Sequence, residues 1–464
     1  MLDREITGEQ AEGLSAIVSK VISWSKDGEE VEAYASKSEE TEIRVHNGEI
    51  ESYTVATDAG VGIRVVKGHR QGFAYAGSLE EKVIASALAE ARDNADFASE
   101  DPAVGLADPD GVLPVELNLW DSALESYPRN EKISMALSTE ERLRNGDKRI
   151  REVPSVDYAD LSTFSAIAST RGITASTSRT RCYLSAVALA GEESDTQTGF
   201  GISTASSPVG LDQDKVIEDA LSRAIRMLGA KKPRSARTTV VFDPRVTQAF
   251  LSVLSSALSG DSVAKGRSFL AHRVGEQVGS NLLTLVEDPT DERAYGSSPY
   301  DAEGLASRRH VLVMEGVLLG FLHDSTSARR MGTTSTASAV RGGFATPPGV
   351  GCRALRLEPG GGASAERALD PTELLIKVGD GIYVQSVTGM HSGVNPISGD
   401  FSVGIEGLSI RGGELGDPVR EATVASTMQR MLGSVVAIGS DIEWLPGIAA
   451  GQSLALADMS LSGL

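Results

Sequence analysis

The 464-residue sequence predicts an α+β protein of two domains. Three observations predict it. Near the N-terminus, a ladder of short β-like runs punctuated by turn residues lies between two amphipathic helical stretches. From Ser155 to Ser206 the chain alternates among Thr, Ser, Ala and Val, the pattern of several long antiparallel strands. The second half is mostly short β segments separated by glycine turns, which predicts a large, curled antiparallel sheet flanked by helices.

Each element has its own signal. Leu14, Ile17, Val18, Val21 and Ile22 share one helical face, so a helix opens the chain. Strands are expected over Val31–Ser36, Glu42–His46, Ile50–Ala56, Gly62–Val66 and Gln71–Tyr75, with hairpin turns at Asn47-Gly48 and, more weakly, Lys67-Gly68. Ser78 followed by Glu81 reads as a capping box that starts the next helix. The Asp-, Pro- and Gly-rich stretch from Pro102 to Pro114 reads as a loop, and Asn130 to Arg144 as a polar helix. Asp212 to Leu228 is a helix with Gly229 as its stop, and Ala230 to Ser235 is a linker. The domain boundary is placed there, giving 1–230 and 231–464.

Beyond the linker, Thr238 to Phe242 is a strand, and Asp243-Pro244 caps a helix that runs to about Leu258. Strands are expected over Val311–Val313, Val317–Leu322, Leu355–Leu357, Leu374–Val378, Gly381–Val387 and Phe401–Ile410, with a helix over Glu421–Leu432. Glu315-Gly316 and Gly412-Gly413 read as tight hairpin turns.

Charge and cysteine content exclude several classes of function. A net charge of −20 repels phosphate backbones, so nucleic acid is not an expected partner. No run reaches the 18 or so apolar residues of a membrane span. Cys182 and Cys352 stand alone without a CxxC partner, which suits a reducing cytoplasm, and the polar N-terminus carries no signal-peptide pattern.

Candidate chemistry lies mainly between Ser298 and Gly407. In Ser298-Pro-Tyr-Asp-Ala-Glu-Gly304, Asp301 and Glu303 fall on one face of an extended segment. Such a pair can meet a peptide amine or a cation, or accept backbone hydrogen bonds within a turn. Asp324 follows His323 in Phe-Leu-His-Asp. The loop from Thr388 to Ser402 carries His391, Asn395 and Asp400 among glycines and serines, a shaped polar loop suited to binding. None of the six histidines is followed by Glu, so no helix places two imidazoles and a general-base carboxylate together. A dispersed metal site from His310, His323, His391 and Asp324 is the remaining arrangement, weighed against isolated polar strand residues. Cys352, after Gly349-Val350-Gly351, is weighed as a nucleophile against an inert buried thiol. Gly360-Gly361-Gly362 lacks the Lys-Ser/Thr of a phosphate loop and reads as a turn.

Several blocks, in order, resemble the TldD/PmbA family of peptidase subunits and its PmbA (TldE) branch. They are SPYDAEG, EGVLLGFLHDSTSARRMG, LRLEPG, GIYV, TGMHSGVNPISGDFSVGIEG and the closing VAIGSD, with weaker similarity over RVHNGEIESYTVATDAGVGIRVVKGHRQGFAYAG. The resemblance implies a subunit that pairs with a TldD-type catalytic chain to form a zinc peptidase with an internal chamber, where unfolded or short modified peptides are cut. Catalytic members carry a His-Glu-x-x-x-His helix and a C-terminal Cys ligand. Here the corresponding region, Leu251 to Arg267, offers Ser255, Ser256 and Ser259, and no cysteine follows Cys352. The resemblance therefore implies a non-catalytic partner with no zinc of its own, the zinc residing in the partner subunit. It also implies a peptide substrate, with Asp301, Glu303, Asp324, His391, Asn395 and Asp400 as chamber-facing residues. Alternatives are a stand-alone amide hydrolase acting through His391 and Asp400, and a protein-binding modulator without hydrolytic role. A homodimer is the expected alternative assembly for the chain alone.

Overall fold

The computed structural model describes residues 2–192, 195–358 and 367–464. Gly360-Gly361-Gly362 and the end of the LRLEPG block lie outside the described residues. The first half is organised by one six-stranded antiparallel sheet, in the order β3-β2-β1-β4-β5-β6. Its strands are β1 (Glu30–His46), β2 (Glu49–Lys67), β3 (Arg70–Ala76), β4 (Ile150–Ser169), β5 (Thr174–Ala190) and β6 (Gln197–Ala205). The Asn47-Gly48 turn is present with both residues at positive φ, 56° and 75°, as a two-residue hairpin needs. At the next turn the central pair is Gly68-His69 rather than Lys67-Gly68, since Lys67 pairs with Arg70.

The short strands expected in this region fuse. Lys37 to Thr41 is polar enough to read as a break, yet it pairs on both sides, with β2 and with β4, so β1 runs unbroken for 17 residues. Neighbouring strands supply the hydrogen bonds, and local polarity does not decide.

Helices cover one face of this sheet at its two ends. At one end α1 (Leu2–Ser23) and α2 (Glu81–Phe97) pack Leu14, Val18, Ile84 and Leu88 onto Val31, Ala33, Ile63 and Val65. At the other, α4 (Arg129–Gly146), preceded by the single turn α3 (Ala123–Ser126), joins α5 (Gln213–Ile225) over Ile43, Val156, Tyr158 and Leu184. The capping box expected at Ser78 does not form. Helix α2 begins at Glu81 without a side-chain cap, and Ser78 Oγ instead accepts from Glu80 N in a local turn. Asp212 caps α5 through Lys215 N, and the helix ends at Ile225, a turn before the expected Leu228.

The second half is built on β7 (Ala236–Phe242), capped into α6 (Pro244–Ser255) by Asp243 as expected, with a 3₁₀ turn over Ser256–Leu258 and then α7 (Gly260–Ala264). A four-stranded sheet in the order β10-β9-β8-β13 follows, from β8 (Leu285–Glu287), β9 (His310–Met314), β10 (Val317–Leu318) and β13 (Leu355–Leu357). Around it lie α8 (Ser325–Met331) and the small pair β11 (Ala339–Val340) and β12 (Gly349–Val350). The C-terminal sheet runs β16-β15-β14-β7-β18-β17. Its remaining strands are β14 (Gly381–Thr388), β15 (Asp400–Arg411), β16 (Glu414–Thr427), β17 (Val435–Ile438) and β18 (Leu454–Ser462). Strand β16 also pairs with β18, which curls the sheet closed, and β14 with β7 is the parallel exception to its antiparallel pairing. The largest core fills this half around Phe242, Phe250, Phe401 and Leu454.

Two expectations here are corrected. Leu374–Val378 is not a strand but part of α9 (Pro371–Val378), because Asp370 and Glu373 form a capping box and Pro371 takes the first helical position. Glu421–Leu432 is not a helix. Most of it belongs to β16, whose Val419, Ala422 and Val424 point into the core, and only α11 (Met428–Gly433), capped by Thr427, is helical. A single turn, α10 (Met390–Gly393), sits in the polar loop before β15.

Candidate functional site

The face of the long sheet opposite α1 and α2 meets the second half of the chain, and two glycines permit the contact. A Cβ on Gly62 would lie 2.1 Å from the Phe344 carbonyl oxygen, and one on Gly60 2.5 Å from its ring. The loop carrying Arg341 to Phe344 thus rests directly on β2.

At this junction the structure gathers Asp301, Glu303 and Asp324, all buried. Asp301 organises its own turn, accepting from Glu303 N at 2.9 Å and Leu305 N at 3.0 Å, and tethers β11 through Ala339 N at 3.1 Å. Asp324 is the N-cap of α8, accepting from Ser327 N at 2.7 Å. Glu303 accepts from Ser325 N at 2.8 Å and Ser325 Oγ at 2.6 Å, and also faces Arg64 at 3.2 Å. His391, Asn395 and Asp400 lie elsewhere, on an exposed loop tied within itself. Asn395 Oδ1 accepts from Ile397 N, and Ser398 Oγ donates to Asp400 at 2.6 Å. Among the described residues no hydrogen bond or ion pair joins the two groups.

A buried ion network underlies the first group. Glu32 and Arg64 are direct cross-strand partners on β1 and β2, with their charged atoms 2.6 Å apart. Arg341 donates to the other oxygen of Glu32 at 2.8 Å and to the Ala302 carbonyl, and its guanidinium stacks 4.4 Å over the Tyr34 ring. Burial opposes the charge on Glu32, but Arg64 and Arg341 outweigh it and hold the carboxyl below its usual range. Glu303 goes the other way. Burial raises it against the opposing pull of Arg64, and the like charges of Asp324 and Glu32 add to the shift. Burial, with repulsion from Glu303, pushes Asp301 up to about 7. Nearby, Glu287 accepts from the backbone amides of Arg353 and Ala354 and is pushed by burial to about 7.

Beside this network lies a cleft of ≈ 600 Å³ between β4 and β5 on one side and the loops around Tyr295–Ala302, Ala339–Arg341 and Cys352-Arg353 on the other. Its walls carry Arg179, Arg181, Arg341 and Arg353. Sequence reasoning missed these arginines and the Glu32–Arg64 pair. The signals were a charge inside each of two apolar strand runs, Val31-Glu32-Ala33 and Ile63-Arg64-Val65, and the i, i+2 spacing of Arg179 and Arg181.

The residues described do not fit a zinc site of the kind that catalytic family members carry. Leu251 to Arg267 forms the end of α6, the 3₁₀ turn and α7. Ser255 Oγ there donates to Ser252 O, Ser259 caps α7, and Asp261 pairs with Lys265 and Arg330. His310 Nε2 meets the Thr336 carbonyl at 2.7 Å, while His323 Nδ1 meets Ser327 Oγ at 3.2 Å and its ring presses on Gly260. Burial lowers the pKa of both imidazoles. His391 sits on the separate loop, so the dispersed arrangement of His310, His323, His391 and Asp324 does not converge. Cys352 is buried, and its thiol is pushed far up by burial and by Glu287. That is the environment of an inert thiol rather than a nucleophile. Among the described residues no group of three or more His, Cys, Asp or Glu is placed to hold a metal.

Fold and junction together define an α+β chain whose long first sheet is joined by buried charges to loops of its second half. Three family descriptions match it: PmbA/TldA metallopeptidase domain 1 over residues 31–95, central domain over 123–228 and C-terminal domain over 235–463. The chain belongs to the PmbA/TldD metallopeptidase family. It is 28% identical over 447 residues to the metalloprotease PmbA of Escherichia coli O157:H7, covering 96% of this chain and 94% of that protein. It is 27% identical over 441 residues to a metalloprotease TldD homolog of Haemophilus influenzae, covering 91% and 88%. Among solved structures, a putative modulator of DNA gyrase from Thermotoga maritima superposes with a TM-score of 0.85 at 25% identity, covering 99% of this chain and 100% of that one. TldE from Thermococcus kodakarensis, at 20% identity and a TM-score of 0.86, covers 96% and 100% and shares the fold. No described helix is long and apolar enough to cross a membrane.

Proposed function

We propose that this chain is the non-catalytic partner of a TldD-type subunit in a heterodimeric zinc peptidase that cuts unfolded or short, modified peptides in an internal chamber. What supports the reading is that the family's domains match along residues 31–463 while none of the chain's six histidines is followed by the Glu that a His-Glu-x-x-x-His helix needs. Zinc and the general base then belong to the partner, and both subunits work in the reducing cytoplasm.

The chain's own contribution is to wall the chamber and hold an extended peptide by its backbone. Strand β2 supports this role. It pairs with β3 only from Val61 onward, so along Glu49–Ala59 its outer edge has no strand partner among the described residues. A free edge of this kind accepts a further strand through main-chain hydrogen bonds, with little dependence on side chains. The exposed loop with His391, Asn395 and Asp400 is a second surface available to peptide or partner.

The test is reconstitution. Alone, the chain forms a homodimer or monomer on size-exclusion chromatography and turns over little peptide. Mixed with its cognate TldD-type subunit, it shifts to a one-to-one complex, and peptidase activity appears that neither chain shows alone. Two chains that elute separately, with activity unchanged on mixing, would refute the assignment.

A further inference from the structure

We propose that the cleft between the long sheet and the second half of the chain is a carboxylate-binding site, in which Arg179 and Arg181 seat a carboxylate borne by a peptide. This deepens the reading above and rests on it for the class of ligand.

The cleft has an unusual charge for this protein. The chain carries a net charge of −20, yet the cleft is lined by four arginines and one carboxylate, Asp301. That carboxylate is already occupied by three backbone amides. Two of the arginines are also engaged. Arg341 is paired with Glu32, and Arg353 is held by the carbonyls of Tyr300 and Ala337 and by Ser307 Oγ.

Arg179 and Arg181 differ. Among the described residues neither makes an ion pair. They stand at i and i+2 on β5 and so face the same side of the sheet. Neutral groups fix their positions. Arg179 donates to the Ala294 carbonyl at 3.1 Å, to Ser297 Oγ at 3.1 Å and to the Ser297 carbonyl. Arg181 stacks 4.1 Å over the Tyr295 ring, and its buried Nε has no partner.

Two half-buried guanidinium groups side by side repel each other. Burial, with Arg181 adding to it, holds Arg179 down at about 9. An arriving anion relieves that repulsion, and the planar fork of each guanidinium matches a carboxylate through two parallel hydrogen bonds. Leu161 and Ile167 give the same cleft an apolar wall, which suits the stem of a peptide better than a bare inorganic ion.

Titration calorimetry on the full-length chain tests this with matched short peptides. One pair differs only in a free or amidated C-terminus, the other only in Glu or Gln at a central position. The expected result is that the acid member of at least one pair binds roughly tenfold or more tightly than its neutral twin. Which pair discriminates tells a terminal carboxylate from a side-chain one. Arg181→Gln is expected to erase the discrimination and Arg181→Lys to retain part of it, with circular dichroism confirming that both variants fold. Equal binding within both pairs, or inorganic phosphate binding more tightly than either acid peptide, overturns the proposal. The wild-type comparison needs no variant to fold. If peptides bind without preference for acid while the TldD-type complex still assembles, only the carboxylate site falls. If acid preference holds but no complex forms, the partner reading falls instead.

Discussion

The buried network at the junction makes a quantitative prediction about what holds the two halves together. Arg64 on β2 contacts Glu32 at 2.6 Å and, from the second half, Glu303 at 3.2 Å. Removing Glu303 alone, as Glu303→Leu, leaves Arg64 to share Glu32 with Arg341 and strips the acceptor from Ser325 N and Oγ. Breaking a buried pair from one side costs about 3–5 kcal/mol, because the remaining charge stays desolvated. Arg64→Met costs a similar amount by stranding Glu303. The double variant removes both charges and keeps the Glu32–Arg341 pair at 2.8 Å. It should therefore fall short of the sum of the singles by roughly 2 kcal/mol or more. The assay is urea unfolding followed by tryptophan fluorescence. Single-variant losses that add to within about 0.5 kcal/mol in the double would refute the coupling, and with it the view that these charges act as one unit.

Three further outcomes are expected. Glu287 has a folded-state pKa raised to about 7 from an ordinary 4.5, so the stability it contributes is complete below pH 4.5 and is lost as pH rises through 7. The swing is on the order of 3 kcal/mol, and Glu287→Gln should gain on the wild type by that order between pH 5 and pH 8 in urea midpoints; parallel curves would contradict it. Gly201→Ala should destabilise by about 1–3 kcal/mol or more, because the added Cβ would lie 1.9 Å from the Val216 carbonyl of α5, and calorimetry that leaves the melting temperature unchanged would deny that close contact. Asp370→Ala should cost about 1 kcal/mol by opening the capping box of α9, and a urea midpoint equal to that of the wild type would contradict it.

Much of the fold could be read from the sequence because its signals are local. The Asn47-Gly48 turn, the Asp243-Pro244 start of α6 and the apolar face of α1 each declare themselves within a few residues. Misreadings arose where non-local pairing decides. Polar Lys37–Thr41 is strand because β2 and β4 flank it, and Ala- and Thr-rich Glu421–Thr427 is strand because β15 and β18 claim it. The Leu374–Val378 error was avoidable, since Asp370-Pro371-x-Glu373 is a complete helix-start signal.

The site divides in the same way. Asp301 and Glu303 stand out in a glycine-bounded loop and Asp324 as the acid after His323, and the structure brings them together. Among the partners, Arg64 lies 239 residues from Glu303 and Arg341 lies 309 residues from the Glu32 it pairs with, and no spacing rule connects them. Buried charge inside an apolar strand was the one available hint.

The central claim is that this chain has the architecture of a zinc peptidase and leaves the metal to another subunit. Elemental analysis by inductively coupled plasma mass spectrometry, on the chain purified alone and on its complex with a TldD-type subunit, tests it most directly. The account predicts far less than one zinc per chain in the first sample and one per heterodimer in the second. One tightly held zinc per chain in the solitary protein, surviving dialysis against a chelator, would contradict it.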